Sequence, residues 1–437
     1  MSASKIARRD LLSVAVLLLG IPPAHVSGFA RQRANTPPPS PAPKPANVRW
    51  TAEAAGRLRN RQELAYAQLG KRMGISGDPM AVYRELTTGR MPAEWISPEK
   101  FWTTFGSTLK REDGRGIPEA HIADYLAKYG NVQPPTPYED PNLYAVLLEM
   151  LDSIETEWKA LGYKPPARLL LGTLPTGTTN ALAIPVPQTN EHIIVFERGL
   201  FDFAFQMSKL AASVFPPIDP SQGWFSRPVN VDLAVKAQPD LLEEFNRILH
   251  AYLVLGDPRR IASYGIDGSR VMTASVLLRS LELFVLGHEY GHVATGHDDN
   301  LGPNPSQDPE IRRSWDREYG ADRVGLSVMY GVMGNLPLTF WGPIHFFSCL
   351  EAFDRCRSIL TRGAFDPKAT SRTHPPNLLR AQQLRSVVRE LRPGDETGRA
   401  IQLANQIDSL WSRLWQLSEE RWLRMYKQGQ RPSVIWM

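Results

Sequence analysis

Three of the chain's nine histidines, His288, His292 and His297, fall in the single run LGHEYGHVATGHDDN. His288 and His292 are four residues apart, so on a helix both imidazoles share one face. The preceding run SVLLRSLELFVLG is apolar at helical spacing, which predicts that this helix is buried. Buried imidazoles in neutral polar surroundings stay uncharged and able to ligate. Two of them, one turn apart, can grip one metal ion from the same side; the competing reading is a pair of core histidines. A buried polar site of this kind constrains the fold, because other elements must bring partners to it.

A catalytic zinc wants a third protein ligand and an open fourth position. Glu318, in SWDREYGADRVGLSVM, lies 26 residues after His292 and four before Asp322, so one helix can aim both carboxylates at the same site. Glu318 is expected to bind the metal. Asp322 is expected to accept a hydrogen bond from a ligating imidazole and fix its tautomer. Glu289 follows His288 directly and can reach a water at such a site. An exposed acidic pair is the alternative for Glu318 and Asp322. The stretch from Val324 to Leu350 has no charged residue, which argues for burial. Asn335, Pro337, Pro343 and His345 interrupt it, so two core helices joined by a turn are expected there rather than a membrane span.

The first 30 residues read as an export signal. Lys5, Arg8 and Arg9 precede a short apolar run, Leu11 to Ile21, and small residues Ser27, Gly28 and Ala30 follow. The run is shorter than the roughly 20 residues a spanning helix needs. Arg8-Arg9 resembles a twin-arginine signal. Residues 31–47 are Pro-rich and read as a stiff solvated linker. Residues 48–138 read as a small helical domain, ended by Pro134, Pro135 and Pro137. Pro141 to Leu161 is amphipathic, with Leu143, Val146, Leu147, Met150, Leu151, Ile154 and Trp158 on one face. Residues 167–174 and 192–197 are Leu-, Ile- and Val-rich strands, the second a candidate sheet edge. Residues 399–427 form a last helix within a C-terminal tail, 391–437. Few strands among many helices give an α+β, mostly α, fold class. The two cysteines, Cys349 and Cys356, lie seven apart on a helix, about 10 Å between Cα atoms, too far for a disulfide.

Taken in order, His288-Glu289-x-x-His292 and Glu318-x-x-Ala321-Asp322 resemble the gluzincin pattern. More narrowly they resemble metallopeptidase family forty-eight, which includes CAAX prenyl proteases, HtpX-type heat-shock proteases and Oma-type proteases. Asn180-Ala181-Leu182-Ala183, His192 to Phe196 and Arg198-Gly199-Leu200 are similar to that family's strand segment, and Thr373-His374-Pro375-Pro376 with Arg380 to its late His-Pro motif. The resemblance covers about residues 141–390. It implies a zincin-like metallopeptidase domain with a small sheet at 139–390 and one Zn²⁺ per chain. It also implies His374 as a transition-state donor or, alternatively, an inhibitory fourth ligand. Arg380 pairs with Asp322 or with substrate in this reading. His297 reads as a helix-end polar residue, and Tyr290 and Tyr319 as packing residues. The chain departs from the family in lacking four membrane spans and in carrying about 70 residues, 211–282, before the metal helix. FPPIDPSQGWFSRPVN within them reads as an irregular loop.

These readings lead to one expectation: a zinc endopeptidase, exported to the periplasm or secreted, acting on protein or peptide substrates that are unfolded or misfolded. A non-catalytic periplasmic chaperone or assembly factor with a stabilising zinc is the alternative, as is an enzyme of cell-wall peptide links. A net charge of +5 without a long basic run does not point to nucleic acid, and no integral membrane domain beyond the signal is expected. Residues 1–47 fused to a reporter are expected to carry it out of the cytoplasm. Arg8→Lys with Arg9→Lys is expected to block this if the twin-arginine route is used, and retention of the native fusion in the cytoplasm overturns the export reading.

Overall fold

The structure, a computed structural model, describes residues 50–87, 119–217, 229–261, 264–295, 308–334, 336–366 and 374–433. The expected signal and linker, the helix around SPEKFWTTFGSTL, most of the 215–230 loop, Thr373 and His297 lie outside them. The chain forms two compact units. One comprises the described residues up to Thr176 together with Asn180–Arg198, and the other Gly177–Thr179 and the described residues from Gly199 onward.

In the N-terminal unit, α1 (Ala52–Met73) starts at Thr51, whose hydroxyl accepts from the Ala54 N–H, and stops at Gly74 in the left-handed region, φ 68°. Two short helices follow, α2 (Pro79–Thr87) and α3 (Glu119–Tyr129). Then comes α4 (Pro141–Ala160), capped by Asp140 through the Asn142 and Leu143 N–H groups. Val146, Leu147, Met150, Leu151, Ile154 and Trp158 are buried along α4 as the periodicity requires. The strands are β1 (Arg168–Leu174), β2 (Ala181–Pro185) and β3 (Glu191–Glu197). Their order is β1-β3-β2, with β1 parallel and β2 antiparallel to β3.

The 192–197 segment is therefore not an edge: β3 is hydrogen-bonded on both sides. Its composition explains this. Ile193, Ile194, Val195 and Phe196 are all buried, so both faces are apolar, the mark of a central strand. Ala54 and Leu58 of α1 pack with Leu170, Val186, Ile193 and Val195 to form the core of the unit. Gly172 makes room for this, since a Cβ there would lie 2.5 Å from Leu58 Cδ2.

The prolines at 134–137 turn the chain without dividing it. Glu139, immediately after them, is buried and accepts hydrogen bonds from the Thr173 N–H and hydroxyl, at 2.8 and 2.7 Å, and from Gln62 of α1. These bonds tie the turn to α1 and β1. The compact units accordingly do not separate at residue 138, and α4 and the sheet group with α1 to α3.

The second unit is helical: α5 (Arg198–Val214), α6 (Val231–Lys236), α7 (Pro239–Leu253), α8 (Val271–Ala294), α9 (Pro309–Met333), α10 (Leu336–Arg362), α11 (Asn377–Leu391) and α12 (Asp395–Lys427). Helices thus dominate the described residues around one small sheet. α8 is buried on all sides and packs against α9 and α10; α12 lies along α10 and so belongs to the body of this unit. The helix Gly268–Ala294 is long and apolar enough to cross a membrane, and 83% of that window is buried inside the protein. The uncharged 324–350 stretch forms the end of α9 and the start of α10. Gly334, φ 65°, ends α9 with its N–H on the Tyr330 carbonyl.

A buried polar link joins three of these helices. Trp411 of α12 donates its indole N–H to His345 Nδ1 on α10 at 3.1 Å, and His345 Nε2 lies 3.3 Å from the Ser208 hydroxyl of α5. An indole only donates, so Nδ1 carries the lone pair and the imidazole is neutral. Burial pushes the His345 pKa down from 6.5 to about 3. The unfolded chain therefore binds this proton first, and stability present above pH 6.5 is lost as pH falls toward 3, by up to about 1.4 kcal/mol per pH unit. His345→Asn removes the titration, so its stability deficit against wild type, read from urea midpoints, is expected to shrink as pH is lowered through this window.

Candidate metal centre

Three helices of the second unit build the centre. α8 carries His288, Glu289 and His292, α9 carries Glu318 and Asp322, and α11 carries Arg380, with His374 in the turn before it. Asp308 starts α9, accepting from the Glu310 and Ile311 N–H groups, with Pro309 in the first turn. Asn377 starts α11 directly after the Pro375-Pro376 pair, which cannot continue a helix backwards.

His288 Nε2 and His292 Nε2 are 3.1 Å apart. Glu318 Oε1 lies 3.4 Å from His292 Nε2, and Glu318 Oε2 lies 3.6 Å from His288 Nε2. One ligand atom from each residue falls within 4.8 Å of the others. Zinc sits about 2.0–2.1 Å from imidazole and carboxylate donors, so tetrahedral ligand atoms stand roughly 3.3–3.4 Å from one another. The nitrogen–nitrogen distance and the nearest approach of each Glu318 oxygen lie near that figure, and imidazole with carboxylate is a donor set for a divalent transition-metal ion. Glu318 Oε2 is buried and accepts no hydrogen bond from the described residues, leaving a lone pair for such an ion.

The surrounding groups hold this triangle in place. Asp322 Oδ1 accepts from His288 Nδ1 at 2.9 Å, which leaves the His288 Nε2 lone pair facing Glu318. Arg380 grips Asp322 with two bonds, Nε to Oδ2 at 2.8 Å and Nη2 to Oδ1 at 2.6 Å. Its Nη1 lies 3.3 Å from Glu318 Oε2, and its guanidinium lies 4.6 Å from the centroid of the Phe347 ring on α10. Glu289 Oε1 is 3.9 Å from His288 Nε2. His374, half-exposed, places Nε2 3.6 Å from Glu318 Oε1.

Burial opposes ionisation of Glu318 and Asp322. For Glu318 the His292 hydrogen bond and the Arg380 charge outweigh it, and for Asp322 Arg380 does so, holding both carboxyls below their usual range. Burial raises the Glu289 carboxyl and lowers His374. Burial also works against the His288 cation, but the Asp322 hydrogen bond prevails and the net shift is upward.

The structure thus brings His288, Glu289, His292, Glu318, Asp322 and His374 together at one site. Arg380, left between Asp322 and substrate by the sequence, is committed to Asp322. The sequence gives no sign of Phe347, because it sits on a helix whose apolar pattern reads only as core. Tyr290 and Tyr319 are buried and pack. Comparison with protein-family models, with curated proteins and with solved structures finds no match to this chain.

Arg380→Met leaves Asp322 a buried charge without its cation. The expected loss of stability is about 3–5 kcal/mol, measured by urea unfolding with a chelator present. Adding Asp322→Asn is expected to recover part of that loss, because the pair is coupled.

Proposed function

We propose that the chain is a zinc endopeptidase of the CAAX prenyl protease, HtpX and Oma-type family, in an exported branch, with a zincin-like catalytic domain. The observation that carries the reading is the convergence of His288 Nε2, His292 Nε2 and Glu318 within one ion's reach, with the Glu289 carboxylate alongside and in no hydrogen bond with the described residues. A purely stabilising site has no use for a further carboxylate 3.9 Å from His288 Nε2.

His288, His292 and Glu318 would hold the ion. Zinc in such a donor set supplies a Lewis acid and makes water more acidic. Glu289 takes the proton of the attacking water on its carboxylate and passes it to the leaving amine. General acid–base work of this kind contributes about 10²–10⁴-fold. Asp322 keeps the His288 proton on Nδ1, and Arg380 keeps Asp322 ionised. His374, half-exposed beside Glu318, is placed to donate to the developing oxyanion. Substrates in this reading are segments of unfolded or misfolded exported proteins.

Glu289→Gln keeps the size of the side chain and removes its basicity. The variant is expected to retain about one zinc per chain by metal analysis, while cleavage of casein falls by about 10²-fold or more. Zinc-free wild type, purified without chelator, overturns the reading. So does full rescue of a deletion strain by Glu289→Gln, which would place the role in assembly or chaperoning. If wild type is inert, His374→Ala is expected to raise activity by opening the fourth position.

A further inference from the structure

Three glycines lie inside α8 and α9 where those helices meet: Gly287 and Gly291, each just before a histidine ligand, and Gly325. Glycine is the poorest helix former after proline, so three mid-helix glycines call for a local reason. The contacts supply it. A Cβ on Gly291 would lie 3.0 Å from Ala321 Cα, 3.1 Å from Val324 Cβ and 3.2 Å from the Ala321 carbonyl oxygen. A Cβ on Gly287 would lie 3.0 Å from Gly325 Cα and 3.3 Å from the Gly325 oxygen. Seen from the other side, a Cβ on Gly325 would lie 3.0 Å from both the His288 nitrogen and the Phe284 oxygen. Backbone therefore faces backbone along two turns of each helix.

We infer that the seam of Gly287 and Gly291 against Ala321 and Gly325 sets the spacing of the metal ligands, so that these glycines are positioning residues of the centre. The inference rests on the metal reading above. The distance between the two imidazole nitrogens is fixed within α8. The distances from those nitrogens to Glu318 span two helices and depend on how closely the helices approach. Seam and ligands are interleaved: Gly287 precedes His288, Gly291 precedes His292, and Ala321 stands between Glu318 and Asp322. Buried Glu318 Oε2 accepts no hydrogen bond from the described residues and lies 3.6 Å from His288 Nε2 and 3.3 Å from Arg380 Nη1. Ordinary carbon contacts need 3.4–4 Å, so a methyl at Gly291 requires α9 to give by a few tenths of an ångström. That uses most of the roughly 0.5 Å within which a functional constellation must be held. Neither neighbour can yield by turning a side chain, since the closest atoms are backbone.

The test is Gly291→Ala in the full chain, with Gly56→Ala as control, because the space around Gly56 on α1 is open. Three quantities are measured: zinc affinity against a competing chelator, the visible absorption of the Co²⁺-loaded protein, and thermal unfolding in excess chelator. Gly291→Ala is expected to weaken zinc binding about 10-fold or more, the scale for disturbing a ligand's support. The Co²⁺ bands are expected to shift or lose intensity, while the chelated protein unfolds near the wild-type temperature. The control is expected to match wild type in zinc affinity and Co²⁺ spectrum and to unfold at or slightly above the wild-type temperature, because alanine is the better helix former. Unchanged zinc affinity and an unchanged Co²⁺ spectrum in Gly291→Ala overturn the seam inference and leave the metal reading intact. Wild type that binds neither ion overturns both. If Gly291→Ala does not fold, Gly287→Ala is read in the same way one turn earlier. Failure of both to fold assigns the seam to the fold alone and overturns its role at the metal.

Discussion

The centre depends on one buried cation. Glu289, Glu318 and Asp322 bring three carboxylates into the interior of a helical unit, and Arg380 alone among the described groups answers them with a permanent charge. Desolvation penalises each ion by several kcal/mol, so the carboxylates depend on Arg380 for compensation. Arg380 does more than hold Asp322: it also stands 3.3 Å from Glu318 Oε2 and helps hold that carboxyl below its usual range. Its attachment to Asp322 also reaches the ligands directly, because the same carboxylate fixes the His288 tautomer.

Much of this centre was legible in the sequence, since its key pairs lie within single helices. His288 with His292 and Glu318 with Asp322 are each four residues apart, and helical periodicity alone places each pair on one face. What the sequence left open is what crosses between helices. Arg380 is 58 residues from Asp322, and no local pattern couples them. The α4 boundaries, the burial of α8 and the split of the uncharged stretch into two helices followed from local patterns. The edge assignment of 192–197 did not, because a short apolar strand reads alike at the edge and in the middle of a sheet. The partner that settled it, β2, is signalled only by the resemblance at 180–183, which does not say which side of 192–197 it pairs with. Near 138 the prolines mark a turn, while contacts such as Gln62 with Glu139 join residues far apart in sequence and leave no local pattern.

The mid-helix glycines carry a related lesson. Each costs roughly 1 kcal/mol of helix propensity relative to alanine, and local reasoning counts them as defects. Placed along the contact of α8 with α9, they exchange intrinsic helix stability for closeness of approach. The same exchange recurs where Gly342 of α10 meets α8, since a Cβ there would lie 2.5 Å from the Ser280 carbonyl carbon. α8 is therefore gripped on two sides by backbones rather than by side chains, which suits an element whose displacement would spoil a metal site.

The burial of two thiols on α10 has a chemical consequence. Cys349 and Cys356 are free and fully buried on it, and burial pushes both thiols well above their usual pKa. Thiolate is the reactive form, so both sulfurs are silent while the helix stays packed. Reagents such as maleimides reach them only through excursions that lift α10 away from α8 and α12. The rate at which the two sulfurs are capped is then a native clock for breathing of the helix that carries Phe347 against Arg380. It reads the motion of the centre's floor without a foreign label.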